Sequence, residues 1–127
     1  MLTNKRVLLV DDNNVNLIVA QTILKRAGVE VTTAVNGALA IDEIKKAQFD
    51  AILMDIQMPV MSGLEAASYI RETLEMTDIP IIAISANIME SDIKKSLKAG
   101  MVAHLGKPIV GQELLNTLEH HLKQTYH

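Results

Sequence analysis

Five polar side chains follow four short apolar runs of this 127-residue chain. Asp11 and Asp12 come after VLLV, Asp55 after AILM, Ser85 after IIAI and Lys107 after VAHLG. In an open parallel sheet, ligands bind beyond the carboxyl ends of the strands. We therefore expect three carboxylates, a hydroxyl and an amine to share one crevice, although they are far apart in sequence.

The three acids offer oxygen ligands to a small divalent cation. Mg²⁺ keeps several waters and takes one or two carboxylates together with phosphate oxygens, which suits an open site at strand ends. Mn²⁺ would accept the same ligands. Without a metal ion the acids repel one another, since the repulsion between two like unit charges about 4 Å apart is roughly 4 kcal/mol at an effective dielectric constant of about 20. We therefore expect Mg²⁺ to stabilise the protein.

Asp55 is the candidate nucleophile of this set. A carboxylate can accept a phosphoryl group as an aspartyl-phosphate while neighbouring cations neutralise the charge on the transferring group. Lys107 would supply a second cation, and the Ser85 hydroxyl would bond a phosphoryl oxygen. Taken singly, these residues are typical of a helix cap, a solvated lysine and a turn serine. Together, and in this order, they favour phosphoryl transfer.

The elements that would position these residues alternate along the chain. Strand-like and helix-period segments alternate five times, which predicts an α/β fold with a doubly wound parallel sheet. Runs such as VLLV and IIAI lack polar alternation, as expected for strands buried on both faces. Gly28, Gly63 and Gly100 are expected at turns or helix ends, where glycine allows a positive φ. Strands are predicted near 6–10, 30–34, 51–54, 80–84 and 102–105, and helices at about 14–27, 37–46, 64–74, 90–98 and 111–123.

Composition restricts the class of protein. An apolar content of 49% suits one domain over residues 1–127, with its core at about 5–123. A net charge of −3 argues against nucleic acid or an anionic membrane as a partner, and a 2% aromatic content argues against base stacking. The chain lacks cysteine, a long apolar run and a signal peptide, so we expect a cytoplasmic domain without membrane contact.

The first predicted helix carries apolar residues on more than one side. A helical wheel places Leu17 and Ile18 on the outer side, beside the crevice of Asp11 and Asp12. Such residues would form a docking patch for a partner helix, although isolated surface hydrophobes are also common. The predicted inward stripe is Val15, Val19, Ile23 and Ala27.

Four segments resemble the receiver domain of two-component response regulators. They are LLVDDN (8–13), ILMDIQMPVMSGLEA (52–66), ISAN (84–87) and GKPI (106–109). The resemblance extends over about residues 5–123. It implies a five-stranded doubly wound sheet in the order 2-1-3-4-5, with five helices, as in flavodoxin-like and CheY-like proteins.

The resemblance also implies individual roles around the metal ion. Asp55 corresponds to the phosphoacceptor and Asp12 to a direct Mg²⁺ ligand. Asp11 is expected to bind the metal mainly through water, and the Gln57 backbone carbonyl is expected to be a further ligand.

On the other side of the site, Lys107 and Ser85 match the lysine and hydroxyl that contact the phosphoryl group. The Lys107–Pro108 bond resembles one that is usually cis in this family. His104 departs from the family pattern, because Tyr or Phe is common at this switching position. We expect switching to be weaker, altered or sensitive to pH if His104 takes part in it. The alternative is a histidine at a strand edge without a switching role.

Three segments are most similar to the sequences of receivers fused to hybrid sensor histidine kinases: DDNNVN, DIQMPVMSG and SANIMESD. Such receivers pass a phosphoryl group from a kinase histidine to a histidine-phosphotransfer domain. The expected partners are therefore a sensor histidine kinase as donor and a phosphotransfer domain docking near Leu17 and Ile18. A free-standing regulator is the alternative. The isolated module is not expected to be an enzyme beyond its own phosphorylation and dephosphorylation.

Other functions fit the residues less well. A phosphatase of the haloacid dehalogenase type would need a second acid two residues after the nucleophile, where this chain has Gln57. A flavodoxin-like cofactor site would need a loop rich in Gly, Ser or Thr in place of DDNN. No GxxxxGK[ST] or GxGxxG motif occurs. A pseudo-receiver that binds a partner without phosphorylation is the strongest rival, but it would be expected to have lost an acid or the lysine.

Overall fold

A five-stranded parallel sheet in the order β2-β1-β3-β4-β5 forms the centre of the computed structural model, which describes residues 2–58, 61–86 and 90–123. The strands are β1 (Arg6–Val10), β2 (Glu30–Ala34), β3 (Ala51–Asp55), β4 (Ile81–Ser85) and β5 (Ala103–Gly106). The helices are α1 (Asn14–Arg26), α2 (Gly37–Lys46), α3 (Gly63–Glu72), α4 (Glu90–Lys98) and α5 (Gly111–Lys123). The fold class, the strand order and the five helices expected from the sequence are confirmed.

Each face of the sheet packs against its own apolar cluster. Leu9, Leu53 and Ile84 point toward Leu24 of α1 and Leu118 of α5. The intervening strand residues, such as Leu8, Ile52 and Met54, point to the other face. There they pack with buried residues of α2 and α3, such as Ile44 and Ile70. Because successive strand side chains alternate between faces, strands covered on both sides are apolar throughout. Every residue of β3 and β4 is buried, as the unbroken apolar runs predicted.

The packing face of α1 differs from the prediction. Leu17 is only 7% exposed and packs into the core with Ala20 and Leu24, so it does not lie on the outer side. Val15 and Val19, predicted to face inward, are 67% and 43% exposed. Apolar residues occur around most of this helix, so their periodicity does not fix its orientation. The large Leu17 and Leu24 side chains occupy the buried face.

Ile18 is 62% exposed, as predicted. The exposed apolar residues Val15, Ile18 and Val19 are called the α1 patch below. Ile23 and Ala27 are half-buried against the core, in agreement with their inward assignment.

Two of the three glycines predicted at special backbone positions have them. Gly28 and Gly100 have φ values of 85° and 100°. The prediction for Gly63 is wrong, because this residue begins α3 without a positive φ. Its need for glycine is steric, since a Cβ at this position would overlap the carbonyl oxygen of Asp55. Among the described residues, no helix has the length and apolar character needed to cross a bilayer.

Candidate functional site

The carboxyl ends of four strands bring the predicted polar side chains to one edge of the sheet. Asp11 follows β1, Asp55 ends β3, Ser85 ends β4, and Lys107 follows β5. The Lys107 N–H donates to the Ser85 carbonyl oxygen at 3.1 Å, and the Asp11 N–H donates to the Ala34 carbonyl oxygen at 3.1 Å. The sheet ladder itself therefore fixes the backbone from which these side chains project.

Lys107 lies between two buried carboxylates. Its Nζ is 3.1 Å from Asp55 Oδ2 and 3.5 Å from Asp11 Oδ2. Asp11 and Asp55 are 1% and 2% exposed, and Ser85 is 3% exposed. The bond between Lys107 and Pro108 is cis, as predicted. One cation thus faces two carboxylates that water hardly reaches.

Backbone N–H groups hold the other oxygen of each buried carboxylate. Gln57 N–H donates to Asp55 Oδ1 at 3.2 Å, and Asn13 N–H donates to Asp11 Oδ1 at 2.9 Å. The Asn13 side chain caps α1 by accepting from two N–H groups of its first turn. The loops after β1 and β3 therefore orient both carboxylates. These contacts were not predicted from the sequence, although Asn directly before a helix-period segment is a known cap signal.

Burial dominates the electrostatics of Asp55. It raises the pKa of this carboxyl from 3.8 to about 6, and the negative charge of Asp11 contributes in the same direction. The hydrogen bond and charge of Lys107 and the Gln57 N–H lower the pKa, but they do not offset the burial. The site therefore carries more negative charge than its single lysine compensates.

The acidic cluster has the donor set of a hard divalent cation. Asp11, Asp12 and Asp55 each offer a carboxylate oxygen, and these oxygens lie within 4.8 Å of one another. In the part of the chain that the structure describes, Asp11 Oδ2 is buried without a hydrogen bond. Asp12 is exposed and leaves the cluster open to solvent. An open cluster of oxygen donors, with one buried oxygen that has an ion pair at 3.5 Å but no hydrogen bond, fits Mg²⁺ or Mn²⁺. The ligand role predicted for the Gln57 carbonyl stays a prediction.

His104 lies in the edge strand β5 and contacts α4. Its two ring nitrogens are 3.2 and 3.3 Å from the Oγ of Ser96, a fully buried serine whose hydroxyl also donates to the Ile93 carbonyl oxygen. Burial lowers the pKa of His104, and the charge of Asp92 opposes this effect. Ser96 was not predicted from the sequence, because a serine in a polar helix carries no sign of burial. A role of His104 in switching stays a prediction.

Comparisons with known proteins agree on one family. The family model of the response regulator receiver domain matches residues 7–119 of this sequence. The chain is 40% identical over 123 residues to Hybrid signal transduction histidine kinase I of Dictyostelium discoideum. The alignment covers 89% of this chain and 7% of the kinase. It is 33% identical over 118 residues to the polar-differentiation response regulator DivK of Brucella anthropi. This alignment covers 93% of this chain and 96% of DivK. The chain thus spans a small part of the kinase and nearly all of DivK.

Solved structures have the same fold. The receiver domain of a Pseudomonas aeruginosa sensor histidine kinase, with a magnesium ion coordinated in its active site cleft, has a TM-score of 0.87 at 36% identity, covering 95% of this chain and 99% of that domain. A second neighbour is a receiver domain from Saccharomyces cerevisiae, crystallised with a histidine phosphotransfer protein. It has a TM-score of 0.86 at 28% identity, covering 93% of this chain and 88% of that one.

Proposed function

The chain belongs to the response regulator receiver domain family, and from this premise we propose that Asp55 accepts a phosphoryl group from a phosphohistidine of a sensor histidine kinase. The observation that carries the proposal is the placement of Asp55. Its carboxylate is buried at a strand end, its Oδ2 is 3.1 Å from Lys107 Nζ, and two further acids lie beside it. A nucleophile, a cation and a cluster of metal ligands therefore meet at one point.

In the proposed transfer, a carboxylate oxygen of Asp55 forms a bond to phosphorus while the bond between phosphorus and the donor imidazole nitrogen breaks. The electron pair of the broken bond returns to the imidazole. Lys107 stabilises the charge on the transferring group, and the Ser85 hydroxyl contacts a phosphoryl oxygen. Mg²⁺ or Mn²⁺, held by Asp11, Asp12 and Asp55 with the Gln57 carbonyl, would neutralise charge on the phosphoryl oxygens.

The first test is the intact mass of the protein after incubation with acetyl phosphate. We expect the mass of one phosphoryl group to be added in the wild type with Mg²⁺, and no addition with a chelator or in Asp55→Ala. If none of the samples gains mass, the chain is a pseudo-receiver that acts by binding a partner. Gain of mass in Asp55→Ala would assign the acceptor to another residue.

We further propose that a histidine-phosphotransfer domain docks on the α1 patch. The patch is apolar, it faces away from the core, and α1 begins directly after the loop that carries Asp11 and Asp12. Leu17 is not part of this surface because it is buried. The yeast receiver crystallised with a phosphotransfer protein supports this class of partner.

Replacing Ile18 by Ala tests this docking surface. We expect slower phosphotransfer from phosphorylated protein to a purified phosphotransfer domain, with unchanged phosphorylation by acetyl phosphate. Leu97→Ala is the matched control, since Leu97 is a similarly exposed residue on α4, at 56%. Equal slowing by both variants, or by neither, would contradict docking on α1.

The proposed module is one receiver domain over residues 1–127, located in the cytoplasm and confined to its own phosphorylation and dephosphorylation. Identity to a hybrid kinase supports an origin as part of a hybrid histidine kinase. The near-complete coverage of DivK supports a free-standing regulator as the second candidate. Sequencing of the full transcript distinguishes the two.

We also propose that His104 modulates the response of the phosphorylated domain. Its contact with Ser96 connects β5 to α4. Because burial lowers the pKa of His104, we expect the affinity of phosphorylated wild type for its partner to change a few-fold between about pH 8 and pH 5, and that of His104→Tyr to stay constant. Equal affinities of both proteins over this range would leave His104 as a structural strand-edge residue.

A further inference from the structure

Three helices in the described part of the chain begin with glycine, although glycine has a lower helix propensity than every residue except proline. These residues are Gly37 in α2, Gly63 in α3 and Gly111 in α5. None of the three has a positive φ, so backbone freedom does not explain them. The space around each Cα is the property that can separate the three positions.

The three positions differ sharply in the room available for a side chain. A Cβ on Gly63 would overlap the Asp55 carbonyl oxygen and lie 2.9 Å from the Cα of Ile56. A Cβ on Gly37 would lie 3.0 Å from both Cγ and the carbonyl oxygen of Met61. At Gly111 the nearest atom belongs to Ile23, at 3.6 Å, which is an ordinary contact. Glycine is thus required at 63, favoured at 37 and dispensable at 111.

The two crowded glycines contact the same stretch of chain, here called the acceptor loop, whose described residues are 56–58 and 61–62. Gly63 N–H donates to the Ile56 carbonyl oxygen at 2.8 Å and closes the loop at its base. On the other side, the first residue of α2 packs against Met61. Two helix starts therefore hold the acceptor loop between them.

The acceptor loop in turn orients the Asp55 carboxylate. Gln57 N–H donates to Asp55 Oδ1 at 3.2 Å, and Oδ2 faces Lys107 Nζ at 3.1 Å. We propose that Gly63 is a positioning residue for Asp55, and that Gly37 supports the same loop from α2. The proposal rests on the proposed role of Asp55 as phosphoacceptor.

A methyl group at 63 must displace the backbone of Asp55 and Ile56, because the overlapping atom is a main-chain oxygen. The displacement moves Gln57, which both orients the carboxylate and carries the carbonyl assigned to the metal. Since a misplacement of about 1 Å can slow a reaction by about 100-fold, we expect Gly63→Ala to slow phosphorylation by about tenfold or more. We expect Mg²⁺ affinity to fall by about tenfold, because the ligands would no longer converge.

The experiment compares wild type with Gly63→Ala, Gly37→Ala and Gly111→Ala. Calorimetry without phosphodonor gives the Mg²⁺ dissociation constant, and acetyl phosphate at saturating Mg²⁺ gives the phosphorylation rate. Urea unfolding in the presence of a chelator defines the conditions in which each variant is folded. The amide NMR signal of Gln57, recorded without metal, reports the conformation of the acceptor loop. Gly111→Ala is the matched control, because it also places Ala at the first residue of a helix.

We expect both Mg²⁺ affinity and rate to fall in the order Gly111→Ala, Gly37→Ala, Gly63→Ala, with the control within about twofold of wild type. If folded Gly63→Ala matches the control in affinity and rate, the proposal is wrong. If Gly63→Ala does not fold, Gly37→Ala decides, and its equality with wild type overturns the proposal. Absence of phosphorylation in wild type would count against the proposed function, whereas Mg²⁺ affinity and the Gln57 signal would still test the role of Gly63.

Discussion

Two ion pairs at opposite ends of the same sheet differ in their access to water. At the amino ends of β1 and β2, Arg6 Nε lies 3.5 Å from Glu30 Oε2, and the two side chains are 49% and 69% exposed. At the carboxyl ends, Lys107 Nζ lies 3.1 Å from Asp55 Oδ2, with the side chains 20% and 2% exposed. The separations are similar, but only the second pair is largely removed from water.

The difference decides what each pair can do. Water and salt screen an exposed pair, which therefore contributes little to stability. A buried carboxylate loses its hydration and depends on its remaining partners, so its free energy responds to protons, cations and phosphoryl groups. The carboxyl end of the sheet gives up stability for this responsiveness.

The largest effect is expected on removal of Lys107, the partly buried cation that faces both buried carboxylates. Lys107→Ala leaves Asp55 and Asp11 without their common partner, so the free energy of unfolding should fall by about 3 kcal/mol in metal-free buffer at about pH 7.5. Urea denaturation measures the change. The double variant Asp55→Asn with Lys107→Ala should lose much less, and equal losses would show that packing of the lysine stem is responsible.

A smaller effect, of opposite sign, is expected on removal of the buried negative charge of Asp55, namely a gain in the free energy of unfolding. The Asp55 pKa is about 6 in the native state, against an ordinary value of 3.8, so the native state binds the proton more tightly than the unfolded chain does. The stability that Asp55 contributes is therefore present below about pH 4 and is lost as the pH rises to about 6.

Asp55→Asn should thus raise the free energy of unfolding by about 2 kcal/mol at about pH 7.5 without metal, and by little at about pH 4. Urea titrations across this range check the sign. A gain that does not depend on pH would assign the effect to packing and not to charge.

Metal binding should reverse part of the same penalty. At ten times its dissociation constant, Mg²⁺ should stabilise the wild type by about 1.4 kcal/mol, because it binds the native site and not the unfolded chain. Thermal unfolding with and without Mg²⁺ measures the gain, with Asp12→Asn as the weakened site. An equal gain in Arg6→Ala is expected, since that residue is at the other end of the sheet. No stabilisation of the wild type at millimolar Mg²⁺ would contradict a metal site at the acidic cluster.

The sequence predicted the responsive end of the sheet because its signals are local. Each polar residue directly follows an apolar run, and parallel strands bring such positions to one edge. Strand order is not local information, and it came from the resemblance to receivers. The bounds of β4 and β5 differ from the predicted ones by a residue at each end, because the ladder and not the apolar run defines where pairing stops.

The errors arose where contacts distant in sequence decide the outcome. The α1 helix has apolar residues on several sides, and only packing against the sheet and α5 selects Leu17 over Val15 as a buried residue. Gly63 looked like a turn residue, yet its role depends on the backbone of β3 and not on its own φ. The pKa of Asp55 likewise depends on burial, which no local motif contains.

The smallest effect is expected at the amino end. A double-mutant cycle of Arg6→Ala and Glu30→Ala should give a coupling of about 0.2 to 0.5 kcal/mol, because both side chains are about half exposed or more and solvent competes for them. The Arg6 backbone N–H donates to Oδ2 of the Asp50 side chain, and this hydrogen bond stays in both variants because neither substitution removes its donor or its acceptor. The coupling should vanish at about 1 M salt, whereas most of the coupling between Lys107 and Asp55 should persist, because salt screens a largely buried pair much less than an exposed one. Equal salt sensitivity of the two pairs would mean that water reaches Asp55 as freely as Glu30, and the raised pKa of Asp55 would then need a cause other than burial.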